Sequence, residues 1–440
     1  MVFSSLTFLF YFFPAFFLAY YLVPARFKNA VILCGSILFY SWGAPRFIFV
    51  ILGTTIADFY IVRTMSAATR KKIRQLLLAL SLSINLGLLF YFKYSNFFAD
   101  NLSVLLEGLG IGRLSWPQLV LPIGISFYTF ETLTYVVDVY RGVHKPLRSF
   151  FDYQLYIILF PKLIAGPIIR FGDFADQVYN HTLNDNVDNR LRGIYRFLIG
   201  LGKKVIIANA LGVTTNVVFT LSPAELTTTA AWFGALNYTF QIYFDFSGYS
   251  DMAIGLGLMM GFRFPENFNN PYAALSITDF WRRWHISLST VLRDYLYIPL
   301  GGNQHGKLMT FRNLMITMLL GGLWHGAGFL FILWGVYHGL LLIFYRIVPI
   351  DRFLIARFGR FGKFLSILIF FHFVCIGWIF FRATPDQFGL IWSSIFAFPK
   401  TIATTLANYA PYFQAVPVLS LDFLRTVKAM LHGWLSGDWA

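Results

Sequence analysis

The chain has 440 residues, of which 57% are hydrophobic, 20% aromatic and only 12% charged. A soluble domain carries roughly 25% charged residues, so this composition, with a mean hydropathy of +0.63, excludes an ordinary water-soluble globule. The formal net charge of +15 does not imply nucleic acid as a partner. Its Lys and Arg gather in short loops, as in membrane proteins whose basic loops stay in the cytoplasm.

Residues 1–23 carry no charged side chain and lack the basic start of a signal peptide, so they read as a retained span. Further apolar segments follow at about 29–42, 46–62, 75–92, 118–137, 153–169, 193–220, 229–262, 313–345, 364–381 and 386–398. Several are shorter than the roughly 20 residues that a straight span needs. Broken or re-entrant helices are expected there, sheltered by protein or lining a water-filled cavity. The expected fold class is an all-α polytopic membrane protein.

Arg63, Arg70, Lys71, Lys72 and Arg74 form the densest basic cluster and are expected on the cytoplasmic side. Arg26 with Lys28, and Arg141 with Lys145 and Arg148, fall on the same side if each intervening segment crosses once, which puts the N-terminus outside. Cys34 and Cys375 both lie in apolar runs far apart in sequence and suggest neither a disulfide framework nor a metal site. No Walker motif, dinucleotide fingerprint, zinc spacing or G-x-S-x-G elbow is present.

Three stretches carry chemistry. In the first, 241–266, Asp245 and Asp251 interrupt apolar sequence with Ser247, Gly248, Tyr249 and Ser250 between them. They form either a polar turn between two spans or the lining of a polar cavity. In the second, 276–302, a helical wheel puts Ile277, Phe280, Trp281, Trp284, Leu288, Val291 and Tyr295 on one face and Asp279, Arg282 and Arg293 opposite, with Arg283 on the flank. That predicts an amphipathic helix lying in the membrane interface, with His285 at the border of its faces. Its arginines either partner lipid headgroups or grip the phosphates of a charged substrate, which guanidinium groups do bidentately.

The third stretch, 313–345, contains one arginine-free, carboxylate-free apolar run that as a single straight helix would extend about 50 Å, against roughly 30 Å of hydrocarbon. It is expected to tilt or break. Gly321, Gly322, Gly326 and Gly328 crowd around Trp324 and His325 and mark the break, while Gly322-x-x-x-Gly326 and Gly335-x-x-x-Gly339 suit close helix packing. An ionisable residue inside a membrane is a functional hypothesis by default. Burial favours the neutral imidazole, the form a general base needs. His338 reads instead as a histidine that hydrogen-bonds a neighbouring helix.

The motifs MVFSS at 1–5, FYFKYSNF at 90–97, LPIGISFYTFE at 121–131, LIAGPIIRF at 163–171, YFDFSGYSDMAIGLGLMMGFRFPENFN at 243–269, FWRRWHISLSTVLRDYLYIPLGGN at 280–303 and LLGGLWHG at 319–326 resemble those of the membrane-bound O-acyltransferase (MBOAT) family. The resemblance implies an MBOAT-like helical core with re-entrant and interfacial helices, entered by funnels from both faces. It assigns the family's signature histidine to His325 and a second recurrent one to His285. Arg282, Arg283, Trp284, Arg293 and Asp294 are the candidate donor-binding residues, and Asp245, Ser247, Tyr249, Asp251, Asn269 and Trp324 the candidate substrate channel. The donor implied is cytoplasmic acetyl-CoA, as a substrate rather than a bound cofactor, with no metal.

The acceptor implied is an exported polysaccharide, alginate-like in the first instance, acetylated outside a bacterial inner membrane with periplasmic acetyltransferase partners. The same motifs serve cellulose and peptidoglycan acetylation. An oxyanion would be stabilised by the glycine-rich backbone or by His285. The transmembrane domain is expected over 1–398, with 399–440 a C-terminal segment, partly interfacial or a terminal helix. Two rival readings, a transporter or flippase for a lipid-linked sugar and a scaffold for periplasmic enzymes, leave His325 without an acyl-transfer role.

Overall fold

The computed structural model describes residues 1–397, so the expected C-terminal segment at 399–440 lies outside the described residues. Every regular element described is helical. After a π-helical turn at Phe8–Phe12 come α1 (Phe13–Leu22), α2 (Lys28–Gly43), α3 (Ile48–Ala67), the long α4 (Lys71–Gly108) and α5 (Ile125–Arg141). The chain then breaks into short pieces, α6 (Phe150–Ile158), α7 (Phe160–Leu163), α8 (Phe171–Phe174) and α9 (Gln177–Asn180), before α10 (Val187–Gly202) continues through a π turn into α11 (Asn209–Phe219). The second half holds α12 (Thr228–Met259), α13 (Ile277–Trp281), α14 (Ile286–Leu292), α15 (Gly306–His325), α16 (Phe329–Ile347), α17 (Ile350–Arg382) and α18 (Pro385–Phe396).

Among the described residues, five helical runs are long and apolar enough to cross a membrane: α3, α4, the continuous Val187–Phe219 run, α16 and α17. The protein is a multi-pass membrane protein. Large side chains such as Phe10, Phe49 and Leu76 stand exposed on the outer faces, as expected where lipid rather than water is the neighbour.

The buried side chains form two cores. One joins the N-terminal phenylalanines (Phe3, Phe8, Phe12, Phe16) to α2, α3, α5–α7 and the end of α12 around Met252–Met259. The other joins the start of α12 to α13, α16, α17 and α18, with Trp284, Trp334 and Trp378 at its centre. A small third cluster of Ile168, Leu288, Val291 and Trp324 sits apart from both, and it is here that the histidines meet.

Glycines set the closest helix approaches. A Cβ on Gly200 would lie 2.4 Å from the Gly248 carbonyl oxygen, and one on Gly255 would lie 2.5 Å from that of Gly193. The two pairs share one antiparallel register of α10 against α12, and only a residue without a side chain fits at either level. The expected close packing around Gly322 and Gly335 is also present. A Cβ on Gly322 would fall 2.2 Å from the Phe331 carbonyl oxygen, and one on Gly335 would fall 2.5 Å from that of Met318.

The three basic clusters converge on one end of the molecule. Arg74 donates to the Tyr140 carbonyl (2.6 Å), beside Arg141. The Tyr179 hydroxyl accepts from the Arg148 amide (3.4 Å), and Asn29, next to Lys28, donates to the Val178 carbonyl (3.0 Å). Lys28 pairs with Asp185, whose carboxylate also receives Arg190 (2.7 Å). The N-terminal helix is latched here too: Tyr20 and Tyr21 donate to the Met260 and Met259 carbonyls, each at 2.9 Å.

Candidate active site

The run 313–345 breaks where its glycines predict. α15 ends at His325, the backbone is extended at Gly326 and Gly328, and α16 starts at Phe329 and packs back along α15. His325 is thus the last residue of a helix, where the final carbonyls have no intrahelical partner. Two side chains from α4 supply partners: Lys93 donates to the Trp324 carbonyl and Tyr94 to the Leu323 carbonyl (2.6 Å). Lys93 also donates to the Ser126 hydroxyl (3.1 Å) and lies 5.6 Å from the Trp324 ring centroid. A cation at a helix C-terminus is favoured both by the free carbonyls and by the helix dipole.

The His325 ring is half-buried and held in an aromatic slot. It stands steeply inclined to the rings of Trp324 at 4.9 Å, Phe381 at 5.0 Å and Trp334 at 5.1 Å between ring centroids. Neither ring nitrogen has a hydrogen-bond partner among the described residues, so both stay available to a substrate. Trp324 is fixed in turn by Phe130, stacked at 5.4 Å with an interplanar angle of 3°, and by its indole N–H to the Ser126 carbonyl (3.4 Å). Ser126 and Asp138, near the basic end, lie on one helix about 18 Å apart along its axis. His325 is therefore well removed from that end.

The expected amphipathic helix over 276–302 is not observed. The segment folds as α13, α14 and a π turn at Arg293–Tyr297, with His285 between the first two in the left-handed region (φ 43°, ψ 54°). The apolar face faces protein, not lipid: Ile277 and Phe280 are fully buried and Trp284 nearly so. What breaks the helix is a second strand of backbone alongside it. The Asn267 carbonyl accepts from the Ile286 amide (2.9 Å), and the Arg283 carbonyl accepts from the Asn269 amide (2.9 Å). His285 is brought beside Phe246 (4.7 Å) and Trp324 (6.0 Å), so both histidines contact the same indole.

The arginines have different partners. Arg283 pairs with Asp279 (2.8 Å), Arg293 with Asp294 (2.6 Å), and Arg170 also reaches Asp294 (2.9 Å). Arg282 is exposed and has no carboxylate partner among the described residues. Trp284 packs against Trp378 (4.7 Å) and Phe280 (5.6 Å) inside the core and offers no free face.

Of the two readings of 241–266, the polar turn is absent as far as Met259: Gln241–Met259 lies within the single helix α12. Asp245 is paired with Lys204 (2.7 Å). Asp251, only 5% exposed, is held by Arg196 (2.6 Å) and Lys203 (2.6 Å). A buried carboxylate needs such partners, and α10 with its π turn at Lys203–Ala208 supplies them. The Ser247 and Tyr249 hydroxyls are buried without a hydrogen-bond partner among the described residues, the latter ring stacked on Phe3 at 4.6 Å. Asn269 is exposed; its neighbour Asn267, absent from the sequence-derived candidates, is 1% exposed and contacts His285. Among the described residues His338 is not hydrogen-bonded to a neighbouring helix: both its nitrogens are buried without a partner there, among Trp334 (4.6 Å) and Trp281 (5.3 Å).

A helical, multi-pass membrane protein that gathers two histidines around one tryptophan at a helix break is what the fold and site define. Residues 143–384 match the model of MBOAT, the membrane-bound O-acyltransferase family, and the chain belongs to that family. It is an O-acyltransferase. It is 48% identical over 384 residues to the probable alginate O-acetylase AlgI of Pseudomonas putida, covering 87% of this chain and 77% of that one. It is 36% identical over 414 residues to the peptidoglycan O-acetyltransferase of Helicobacter pylori, covering 87% and 77%. Against the teichoic acid D-alanyltransferase of Bacillus subtilis it is 31% identical over 276 residues, covering 60% and 69%. Membership sets aside the transporter and the scaffold.

Proposed function

We propose that this protein takes acetyl from acetyl-CoA at its basic, cytoplasmic end and passes it through the inner membrane for O-acetylation of an exported, alginate-like polysaccharide. The observation that carries the reading is the placing of His325: on a capped helix end, in an aromatic slot, with both ring nitrogens unengaged. An alcohol is a weak nucleophile until a base takes its proton. His325 removes that proton as the hydroxyl oxygen adds to the thioester carbonyl. Collapse of the adduct breaks the C–S bond, and the imidazolium returns the proton to the departing thiolate. The backbone amides of the turn after His325 are the candidates to stabilise the oxyanion.

The alginate and peptidoglycan relatives support an extracytoplasmic polysaccharide as final acceptor, with periplasmic acetyltransferases completing the transfer. The convergence of the basic loops on one end supports a cytoplasmic location for it and a periplasmic N-terminus. Arg282, the unpaired cation of its segment, is the donor-binding residue the geometry favours. Asp251 and its two cations support a polar wall of the channel.

The test is acetyl release from labelled acetyl-CoA by purified protein in lipid. Wild type releases acetyl and His325→Ala, eluting as a single folded species, does not. Turnover by that variant at the wild-type rate removes His325 from the chemistry, and failure of wild type to bind acetyl-CoA removes the donor.

A further inference from the structure

Asn267 lies on the loop after α12, and its side chain is a hub. The Oδ1 atom accepts from the Ser287 amide (3.3 Å) and the Ser287 hydroxyl (2.9 Å) and faces His285 Nδ1 at 3.1 Å. The Nδ2 atom donates to the Ser250 hydroxyl (3.0 Å). Ser287 is committed as well, since its oxygen accepts from the Ile168 amide (3.0 Å). Helix α12, the loop, α14 and the Ile168 segment are thus tied together at one buried point.

This arrangement points to one protonation of His285, because the Ser287 hydroxyl, 3.4 Å from Nδ1, spends its own proton on Asn267 Oδ1. A backbone amide only donates, so the Asn267 atom facing the Ser287 amide is the oxygen and not the nitrogen. An amide oxygen only accepts, so the imidazole nitrogen that faces it carries the proton. In a neutral ring the other nitrogen, Nε2, then holds a bare lone pair. That nitrogen is buried and has no hydrogen-bond partner among the described residues, while His285 is 1% exposed and sits in the left-handed backbone conformation that bulky residues rarely adopt.

We infer that Asn267 is a positioning residue that locks His285 in the tautomer protonated on Nδ1, leaving Nε2 as a hydrogen-bond acceptor for a donor group of the acyl-accepting substrate other than the hydroxyl that His325 deprotonates. The inference rests on the reading of His285 as part of the acyl-transfer site. It assigns His285 a sense opposite to that of an oxyanion donor: with Nδ1–H spent on Asn267, the ring has no N–H left to stabilise negative charge. An orienting partner of this kind sets which nitrogen of a histidine is chemically available.

The experiment is solid-state NMR of the full chain in lipid with 15N,13C-labelled histidine, the His285 resonances being those lost in His285→Gln. The expected wild-type signal is a ring protonated on Nδ1 and bare on Nε2. Asn267→Asp, which keeps an acceptor oxygen, retains it. Asn267→Leu moves the proton to Nε2 or mixes the two forms, and lowers kcat for acetyl release by about tenfold or more with the KM for acetyl-CoA nearly unchanged. Restoration of most of that kcat by the aspartate separates positioning from mere packing. A wild-type ring bare on Nδ1 overturns the inference, and that measurement stands even if the leucine variant does not fold. A leucine variant with the wild-type tautomer overturns it too. If the tautomers behave as expected but His285→Gln turns over normally, Asn267 still sets the ring, and the placing of His285 in the reaction is what fails.

Discussion

Lys93 donates to the main-chain carbonyl of Trp324, the residue that immediately precedes His325. A cation held at that point by α4 stops the last turn of α15 from fraying, and with it the histidine. Lys93→Met is expected to lose roughly 1–2 kcal/mol of stability, the upper range for a cation at a partly buried helix end, and to lose most acetyl release while remaining folded. Thermal unfolding in detergent and the labelled-donor assay check the two effects. Full activity in Lys93→Met means that Tyr94 alone secures the turn.

Gly200 and Gly248 face each other where α10 meets α12. Gly200→Ala puts a methyl group 2.4 Å from a backbone oxygen, and overpacking of this kind costs about 1–3 kcal/mol. Gly87→Ala, in α4 with open space around the new methyl group, is the control, expected to be neutral or stabilising by up to about 1 kcal/mol. Comparable melting temperatures for the two variants would contradict the register described for α10 and α12.

Lys162 and Glu131 are both fully buried and paired with each other. Removing one charge leaves the other without a partner, so Lys162→Met is expected to destabilise by about 3–5 kcal/mol. Lys162→Met combined with Glu131→Leu is expected to recover most of that loss, because the desolvation cost of both charges disappears. A double-mutant cycle on melting temperature reads the coupling, and additive losses would show that the pair does not interact.

Arg282, Arg283 and Arg293 share one segment, but among the described residues only the first lacks a carboxylate partner. Arg282→Ala is expected to raise the KM for acetyl-CoA by roughly threefold or more, as loss of a charge-assisted phosphate contact does, and Arg293→Ala to change it little. Equal, unchanged values for both would return the arginines to lipid headgroups.

The break after His325 was legible because an apolar run too long for one span and a group of glycines point to the same place. The left-handed turn at His285 was not. A helical wheel accumulates evidence over several turns, and one residue reversing its φ leaves the pattern on either side intact. The cause of that reversal is the Asn267 backbone, which sequence periodicity within 276–302 does not contain. Asp245 and Asp251 left a turn and a cavity lining both open because their neutralising partners, Lys204, Lys203 and Arg196, belong to a helical run some fifty residues earlier. Lys93 and Tyr94 stood in a motif whose likeness was evident, but their partners are 231 and 229 residues away. Pairings at such separations are fixed by the folded chain alone.

The latch of Tyr20 on the Met260 carbonyl joins groups 240 residues apart in the chain. At elongation rates of roughly 5–20 residues per second, the first helix waits about 10–50 s in the bilayer before its partner has been translated. During that interval Phe8 and Phe12 gain Phe39 as a ring neighbour, and Phe12 and Phe16 later gain Phe160, so the helix packs in stages and its latch closes last. The N-terminal helix is thus the first to be inserted and among the last to be fully seated. A nascent chain arrested before residue 259 leaves it unlatched, open to capture by membrane quality control.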